Sequence, residues 1–195
     1  MVGDLDLGRE FFLLLVRLDE GVMRRVAAAG CPRCEGPLHR SDYNRKPRGA
    51  LLVPAGEEFV RRFSLCCGRE GCRRRATPPS VRFLGRRVYL GAAVIMASMV
   101  ALALRSAGEI QRRTGVPSRT TRRWLGWWQG PFLATEEFVT ICARLVGVDV
   151  GRLPASIVGR LEGMWPERMR RMLEWLAPLT TGSVPDGARF LRGTA

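Results

Sequence analysis

The sequence predicts a fold that is mainly α with a small β ribbon ahead of the helices, and three observations carry that reading. Two cysteine clusters, Cys31-Pro32-Arg33-Cys34 and Cys66-Cys67-Gly68-Arg69-Glu70-Gly71-Cys72, offer two close pairs of thiols. Tetrahedral Zn²⁺ takes two such knuckles of two ligands each, so the ribbon reads as a zinc ribbon. Between the clusters, the turn-rich Asn44-Arg45-Lys46-Pro47-Arg48-Gly49 separates two short strand-like runs, 37–43 and 50–65. From residue 88 onward the apolar spacing is that of helices.

Residues 1–30 hold one amphipathic helix, over 5–29. Phe11, Leu14, Leu15, Leu18, Val22 and Val26 recur at three- and four-residue spacing, while Arg9, Arg17, Asp19 and Arg24 fall elsewhere. Gly30 ends it and leads straight into the first knuckle. The ribbon occupies 31–80, closed by Cys67 to Cys72, and Thr77-Pro78-Pro79-Ser80 reads as a hinge into the next unit.

Val88 to Leu104 is seventeen residues without a charge, bounded by Arg86-Arg87 and Arg105. A membrane span wants about twenty apolar residues, and this run is rich in Ala and Gly. It therefore reads as a buried helix over 88–105 of a small all-α unit, 81–130, with further helices over 107–114 and 118–129. A helical C-terminal region follows over 131–181, with patterns at 135–146, 155–162 and 166–177. Thr135 before Glu136 and Glu137 fits an N-cap with acids in the first turn. Pro166 fits a first helical position and Pro178 a stop. Cys142, beside Phe138, Ile141 and Leu145, reads as helix core. Residues 182–195 read as a loosely ordered tail.

A 46% apolar fraction is enough for a packed core and excludes a wholly disordered chain. The formal charge of +14 is unevenly placed, because residues 61–123 hold fifteen arginines against Glu70 and Glu109 alone, a local net of +13. A field of one sign is the footprint of a polyanion partner; its plain alternative is a solvated basic face. Asp4, Asp6 and Glu10 precede the apolar run from Phe11 to Val16, where a secretory signal would carry positive charge. The expected compartment is the cytoplasm, with the nucleoid as the working place. There six cysteines serve a metal better than disulfides.

Within the second cluster two pairings are open. In a strand over 59–67, Phe59, Phe63 and Leu65 share a face with Cys67, whereas Arg62 and Ser64 share one with Cys66. The apolar face belongs inside, so the chosen ligand set is Cys31, Cys34, Cys67 and Cys72, with Cys66 as the alternative third ligand. The 32 residues between the pairs exceed the usual spacing of about fifteen to twenty, so the strands must be long. His39 is the single histidine and could replace a cysteine, but it lies in a predicted strand and reads as a surface residue. An all-thiolate shell leaves no position for water, so the metal reads as structural and the chain as non-enzymatic.

Residues 107–128 carry the second signature. Gly115-Val116 stands between two short helical patterns, where a tight turn needs a residue free to adopt positive φ. Ile110, Val116, Thr121, Trp124 and Leu125 can form the small core of a helix-turn-helix, with the 88–105 helix as its third member. Arg119, Thr120, Arg122 and Arg123 then face outward. Arginine reads guanine edges bidentately, and neighbouring arginines and hydroxyls hold phosphates. The plain alternative is an αα-hairpin with a solvated face. Trp127 and Trp128 read as core or interface residues.

A cysteine ribbon, an Arg-rich segment and a helix-turn-helix in that order resemble the N-terminal DNA-binding regions of insertion-sequence transposases and their small accessory proteins. Cys31-Pro32-Arg33-Cys34 matches the family's CPxC knuckle, and Gly115-Val116, Thr120, Arg123 and Trp124 match its G-V-x-x-x-T-x-x-R-W pattern. The likeness covers roughly 31–128. The second pair departs from it with a four-residue gap instead of two, and Thr121 stands where Val or Ile is usual. The 67 residues after 128 are helical and too short for the family's RNase-H-like catalytic fold. The resemblance thus implies DNA binding without the family's chemistry.

The expected function is that of a sequence-specific or structure-selective DNA-binding protein tied to a mobile element or to transcription regulation. Its expected cofactor is Zn²⁺. Its expected partners are duplex DNA, a transposase or recombinase, and a second copy through the C-terminal helices, with no membrane. Arg73, Arg74, Arg75, Arg86 and Arg87 would hold phosphates beside Arg119, Thr120, Arg122 and Arg123. The rivals are an RNA-binding or ribosome-associated zinc-ribbon protein and an adaptor for an acidic protein.

Overall fold

The computed structural model describes residues 7–44, 56–84, 89–104 and 106–191. They are mainly helical, with small antiparallel sheets. The first helix, α1 (Arg9–Ala29), is 21 residues long, about 31 Å at 1.5 Å per residue. Its apolar stripe serves two cores in turn. Phe11, Phe12 and Leu15 enter the larger, helical core, and Val22, Met23 and Val26 enter a smaller one shared with Phe63, Leu65 and Ala76 of the ribbon. Gly30 ends α1 at φ 79°, and a Cβ there would come within 2.9 Å of Glu35 O. That contact and the left-handed φ both require glycine.

The described elements of the ribbon are short. They are β1 (Leu38–Arg40), β2 (Tyr43–Asn44), the helical turn α2 (Glu57–Val60), β3 (Arg61–Arg62), β4 (Leu65–Cys67) and β5 (Arg75–Ala76). One sheet has the order β1-β4-β5, all antiparallel, with Leu38 opposite Cys67 and Cys66 opposite Arg75. β2 pairs with β3 in a second sheet. Among the described residues, no long strand fills the gap between the cysteine pairs. Glu57 and Glu58 start a helical turn where a strand was expected, since acids favour a helix N-terminus, and Phe59 packs edge-on against Phe12 at 6.1 Å. Residues 45–55, part of the expected turn and second strand, lie outside the described residues.

Thr77-Pro78-Pro79-Ser80 is not a hinge. Pro78, Pro79 and Ser80 are buried, and a polar lattice clamps the segment between α1 and the ribbon. Asp19, expected off the apolar face of α1, is 1% exposed. Its Oδ1 accepts the Val81 N–H at 2.7 Å, and its Oδ2 accepts from Ser80 Oγ at 2.5 Å and Arg82 Nε at 2.7 Å. Arg82 also donates to the carbonyls of Glu58 and Arg61, and Arg62 to that of Pro78. Buried charges persist only when paired and hydrogen-bonded, so these side chains fix how the two parts of the chain meet.

Beyond the clamp, β6 (Phe83–Leu84) pairs antiparallel with β7 (Tyr89–Leu90) and leads into α3 (Gly91–Ala103). α3 is buried on nearly every side, as a helix apolar all round must be. Among the described residues, no helix is long and apolar enough to cross a membrane. α4 (Ala107–Thr114) and α5 (Ser118–Trp128) pack on α3, and Trp128 Nε1 donates to Ser98 Oγ of α3 at 3.1 Å. α6 (Glu136–Arg144), α7 (Ala155–Val158) and α8 (Trp165–Leu176) complete the core. Thr135 Oγ1 accepts the Phe138 N–H at 3.2 Å, the expected N-cap.

Two expectations at the C-terminal end are corrected. Cys142 is exposed, because Ile141 takes the inward position of α6 and its neighbour, about 100° further round the helix, faces out. Residues 182–191 are no loose tail. Val184 and Phe190 are buried in the ribbon-side core, Arg25 donates twice to Phe190 O at 2.8 and 2.6 Å, and Ser183 Oγ accepts the Thr77 N–H at 2.8 Å.

Candidate metal centre and basic surface

Each knuckle is built by backbone hydrogen bonds that turn its thiols inward. In the first, the Cys31 N–H donates to Gly36 O at 2.9 Å and the Glu35 N–H to Cys31 O at 2.8 Å, with Glu35 at φ 59°. In the second, the Cys72 N–H donates to Arg69 O at 3.2 Å, and Gly71 adopts φ 78°. The Cys67 N–H donates to Arg74 O at 2.8 Å, tying the second turn back to its strand. Gly36 lets the two turns meet, since a Cβ there would stand 3.4 Å from both Cys34 Sγ and Cys67 Sγ and 3.2 Å from Arg69 Cβ.

The sulfurs of Cys31, Cys34, Cys67 and Cys72 lie within 4.8 Å of one another. Cys31 Sγ is 3.8 Å from Cys72 Sγ, and Cys34 Sγ is 3.5 Å from Cys67 Sγ. A metal bound tetrahedrally by thiolates at about 2.3 Å needs sulfur–sulfur edges of about 3.8 Å. The donor set fits: these four cysteines could hold a metal ion. Cys66 stands apart, its sulfur directed at Arg73 O at 3.5 Å. His39 is exposed and paired in register with Cys66.

The surroundings separate the thiols electrostatically. The Arg33 backbone N–H, against the cost of burial, lowers the Cys31 thiol to about 7, helped by the Cys34 N–H. The Gly36 N–H lowers Cys34 in the same way. At Cys67 the Arg69 N–H pulls down, but burial and the three neighbouring sulfurs outweigh it and push the thiol up to about 12. A metal would override that difference, because ligation requires all four thiols as thiolates.

The predicted basic residues fall into different settings. Arg73 and Arg74 are exposed past the second knuckle. Arg75 is largely committed, since its guanidinium donates to Ser41 O at 3.0 Å and Ser64 Oγ at 3.1 Å and lies over the Tyr43 ring at 5.4 Å. Arg86 and Arg87 lie outside the described residues. Arg62 and Arg82, which swell the charge count, are buried at 3% and 2% exposure and contribute nothing to a surface. Arg33, passed over in the sequence, is exposed between two ligand-competent sulfurs; its place inside the CPxC turn is the signal that could have found it.

In the helical unit, Ser106 Oγ caps α4 and Gly115 ends it in the left-handed region at φ 65°, ψ 6°. Ile110, Val116, Thr121, Trp124 and Trp128 are buried, and Leu125 is half-buried. Arg119, Arg122 and Arg123 are exposed on the other side of α5, with Thr120 half-buried between them. Trp128 packs edge-on against Phe132 at 4.9 Å, and Trp127 at 5.1 Å from the same ring, so both serve the core. The four thiols and the α5 arginines are thus two separate constellations. Comparison with protein-family models, with curated proteins and with solved structures gave no match.

Proposed function

We propose that this chain is a non-enzymatic DNA-binding protein in which Cys31, Cys34, Cys67 and Cys72 hold a structural Zn²⁺ and α5 enters the major groove. The observation that carries the reading is the division of α5. Thr121, Trp124 and Trp128 are buried on one side, and Arg119, Arg122 and Arg123 are exposed on the other, directly after a left-handed Gly115 turn. A recognition helix needs that division, an apolar side seated on its partners and an arginine side for base edges and phosphates.

Zinc is favoured by four soft donors at tetrahedral spacing. With four thiolates the shell is closed, so the ion would hold the two knuckles together and leave no position for a reacting water. The resemblance to transposase DNA-binding regions supports a mobile-element or regulatory setting, in which a transposase, a recombinase or a second copy would be the protein partner. The test is fluorescence anisotropy with labelled duplex DNA and a matched RNA over a range of salt. Duplex binding that weakens by orders of magnitude as salt rises supports the reading. Preference for the RNA would favour the zinc-ribbon RNA-binding rival, and salt-insensitive affinity would favour an adaptor.

A further inference from the structure

A cavity of about 330 Å³ opens beside Cys31, one of the four clustered cysteines. Its walls are Pro32 and Arg33 of the first knuckle, Arg74 and Arg75 past the second, and Ser183 and Pro185 of the C-terminal segment. None of its lining residues carries a carboxylate. Arg33 and Arg74 are exposed, and neither pairs with a carboxylate among the described residues. Arg75 holds its place through Ser41 and Ser64 and adds its charge to one wall. Ser183 Oγ already accepts the Thr77 N–H at 2.8 Å, which leaves its own proton to donate.

Three arginines line one concave space, and like charges brought together are eased when an anion stands between them. Their forked donors match phosphate oxygens, which they bind bidentately, and a serine hydroxyl completes such a site. We propose that this cavity is a phosphodiester-binding pocket that anchors one backbone phosphate of a nucleic acid. The proposal rests on the nucleic-acid reading above and adds to it a defined site, a residue not counted before (Arg33) and a dependence on the metal.

That dependence follows from connectivity. Arg33 sits between Cys31 and Cys34, and the Arg74 carbonyl accepts the Cys67 N–H at 2.8 Å. Both arginines are therefore attached by backbone to the metal ligands, one through each knuckle. A metal that draws the knuckles together sets the spacing of the two guanidinium groups, and its loss frees each from the other. The third wall, 182–185, is held independently by Val184 in the ribbon-side core and by Arg25 on Phe190 O.

The experiment compares full-length metal-loaded wild type with Arg33→Ala, Arg74→Ala, the double variant, and Arg171→Ala on the exposed side of α8 as a charge-matched control. Each variant is first checked for metal content and circular dichroism, and each is then titrated with several unrelated duplexes at graded salt. The pocket predicts that each single change lowers the salt slope by about one, the double change by about two, and all duplexes are weakened alike. Arg171→Ala should leave the slope as in wild type. A full slope in the double variant overturns the pocket and leaves the DNA reading standing. Should wild type bind no duplex, a pyrophosphate titration decides: heat of binding in wild type that is lost in the double variant supports the pocket as a phosphate site, and no heat overturns it. Pyrophosphate or duplex binding that keeps the Arg33 and Arg74 contributions after chelation would overturn the coupling to the metal.

Discussion

Asp19 Oδ2 lies 2.7 Å from Arg82 Nε, with the two side chains 0% and 1% exposed. The pair joins α1 to the segment that leaves the ribbon, 63 residues later. It is one of the contacts through which the ribbon meets the helical part of the chain. Removing one partner leaves the other charged, buried and uncompensated. Asp19→Asn should therefore cost about 3–5 kcal/mol, and Asp19→Leu with Arg82→Met should cost less than the sum of the two single changes. Urea unfolding of the wild type, the three single variants and the double variant measures both; strict additivity in the Asp19→Leu and Arg82→Met cycle would mean that the contact carries no coupling.

Purified under reducing conditions, the chain should carry about one Zn²⁺, held by Cys31, Cys34, Cys67 and Cys72. Cys31→Ser and Cys67→Ser should lose it, while Cys66→Ser should keep it, because the Cys66 sulfur turns to Arg73 O. Elemental analysis of each variant decides. Metal lost from Cys66→Ser and kept in Cys67→Ser would exchange the two residues' roles.

Metal uptake should release protons near neutral pH. The metal-free Cys67 thiol, pushed up to about 12, holds its proton there and must give it up to become a ligand. The sign is fixed: binding expels protons, so affinity rises with pH and falls with acid. The Cys31 thiol, already lowered to about 7, contributes less at neutral pH and more below it. Titrating metal into weakly buffered apo-protein with a pH indicator should show acidification, and an unchanged indicator would contradict the role given to Cys67.

On the surface of α5, Arg122→Ala should cost about 1–3 kcal/mol on a preferred DNA site and relax discrimination there. Arg74→Ala, beside the ribbon, should weaken all sequences evenly. A selected-site binding assay on both variants separates the two roles. Equal, sequence-blind losses would make the chain a general polyanion binder.

Phe190 is 7% exposed in the ribbon-side core with Val22, Val26 and Phe63. Phe190→Ala should destabilise the metal-loaded protein by about 3 kcal/mol or more, a typical cost for a buried aromatic. A truncation after residue 181 should do at least as much. Thermal unfolding that leaves both variants at the wild-type midpoint would mean that the C-terminal segment does not pack as described.

Much of this molecule was legible because its signals are local. The thiol turn of Cys31 and Cys34, the Ser106-to-Gly115 bounds of α4 and the Thr135 cap of α6 depend on residues a few positions apart. So does the arginine side of α5, since helical period alone sets Arg119 and Arg122 opposite Trp124. Within the second cluster, alternation along a strand favoured Cys67, and that sulfur is the one in the four-thiol group. The strand itself was misjudged, because Glu57 and Glu58 begin a helical turn that pattern alone does not separate from an extended run.

The sequence by itself determined where the cysteine knuckles and the arginine-bearing helix lie, each written in short-range spacing. Only the tertiary structure decided which charges survive at the surface. Arg62 and Arg82 belong to the same basic run as Arg73 and Arg74, yet the first two are buried on carbonyls and on Asp19, while the others meet solvent. Residues 182–191 likewise looked free until Arg25 and the ribbon's apolar side gave them partners. The reason is physical: burial of a charge or of a chain end depends on partners that come together only when distant segments pack, and no spacing along the chain encodes that encounter.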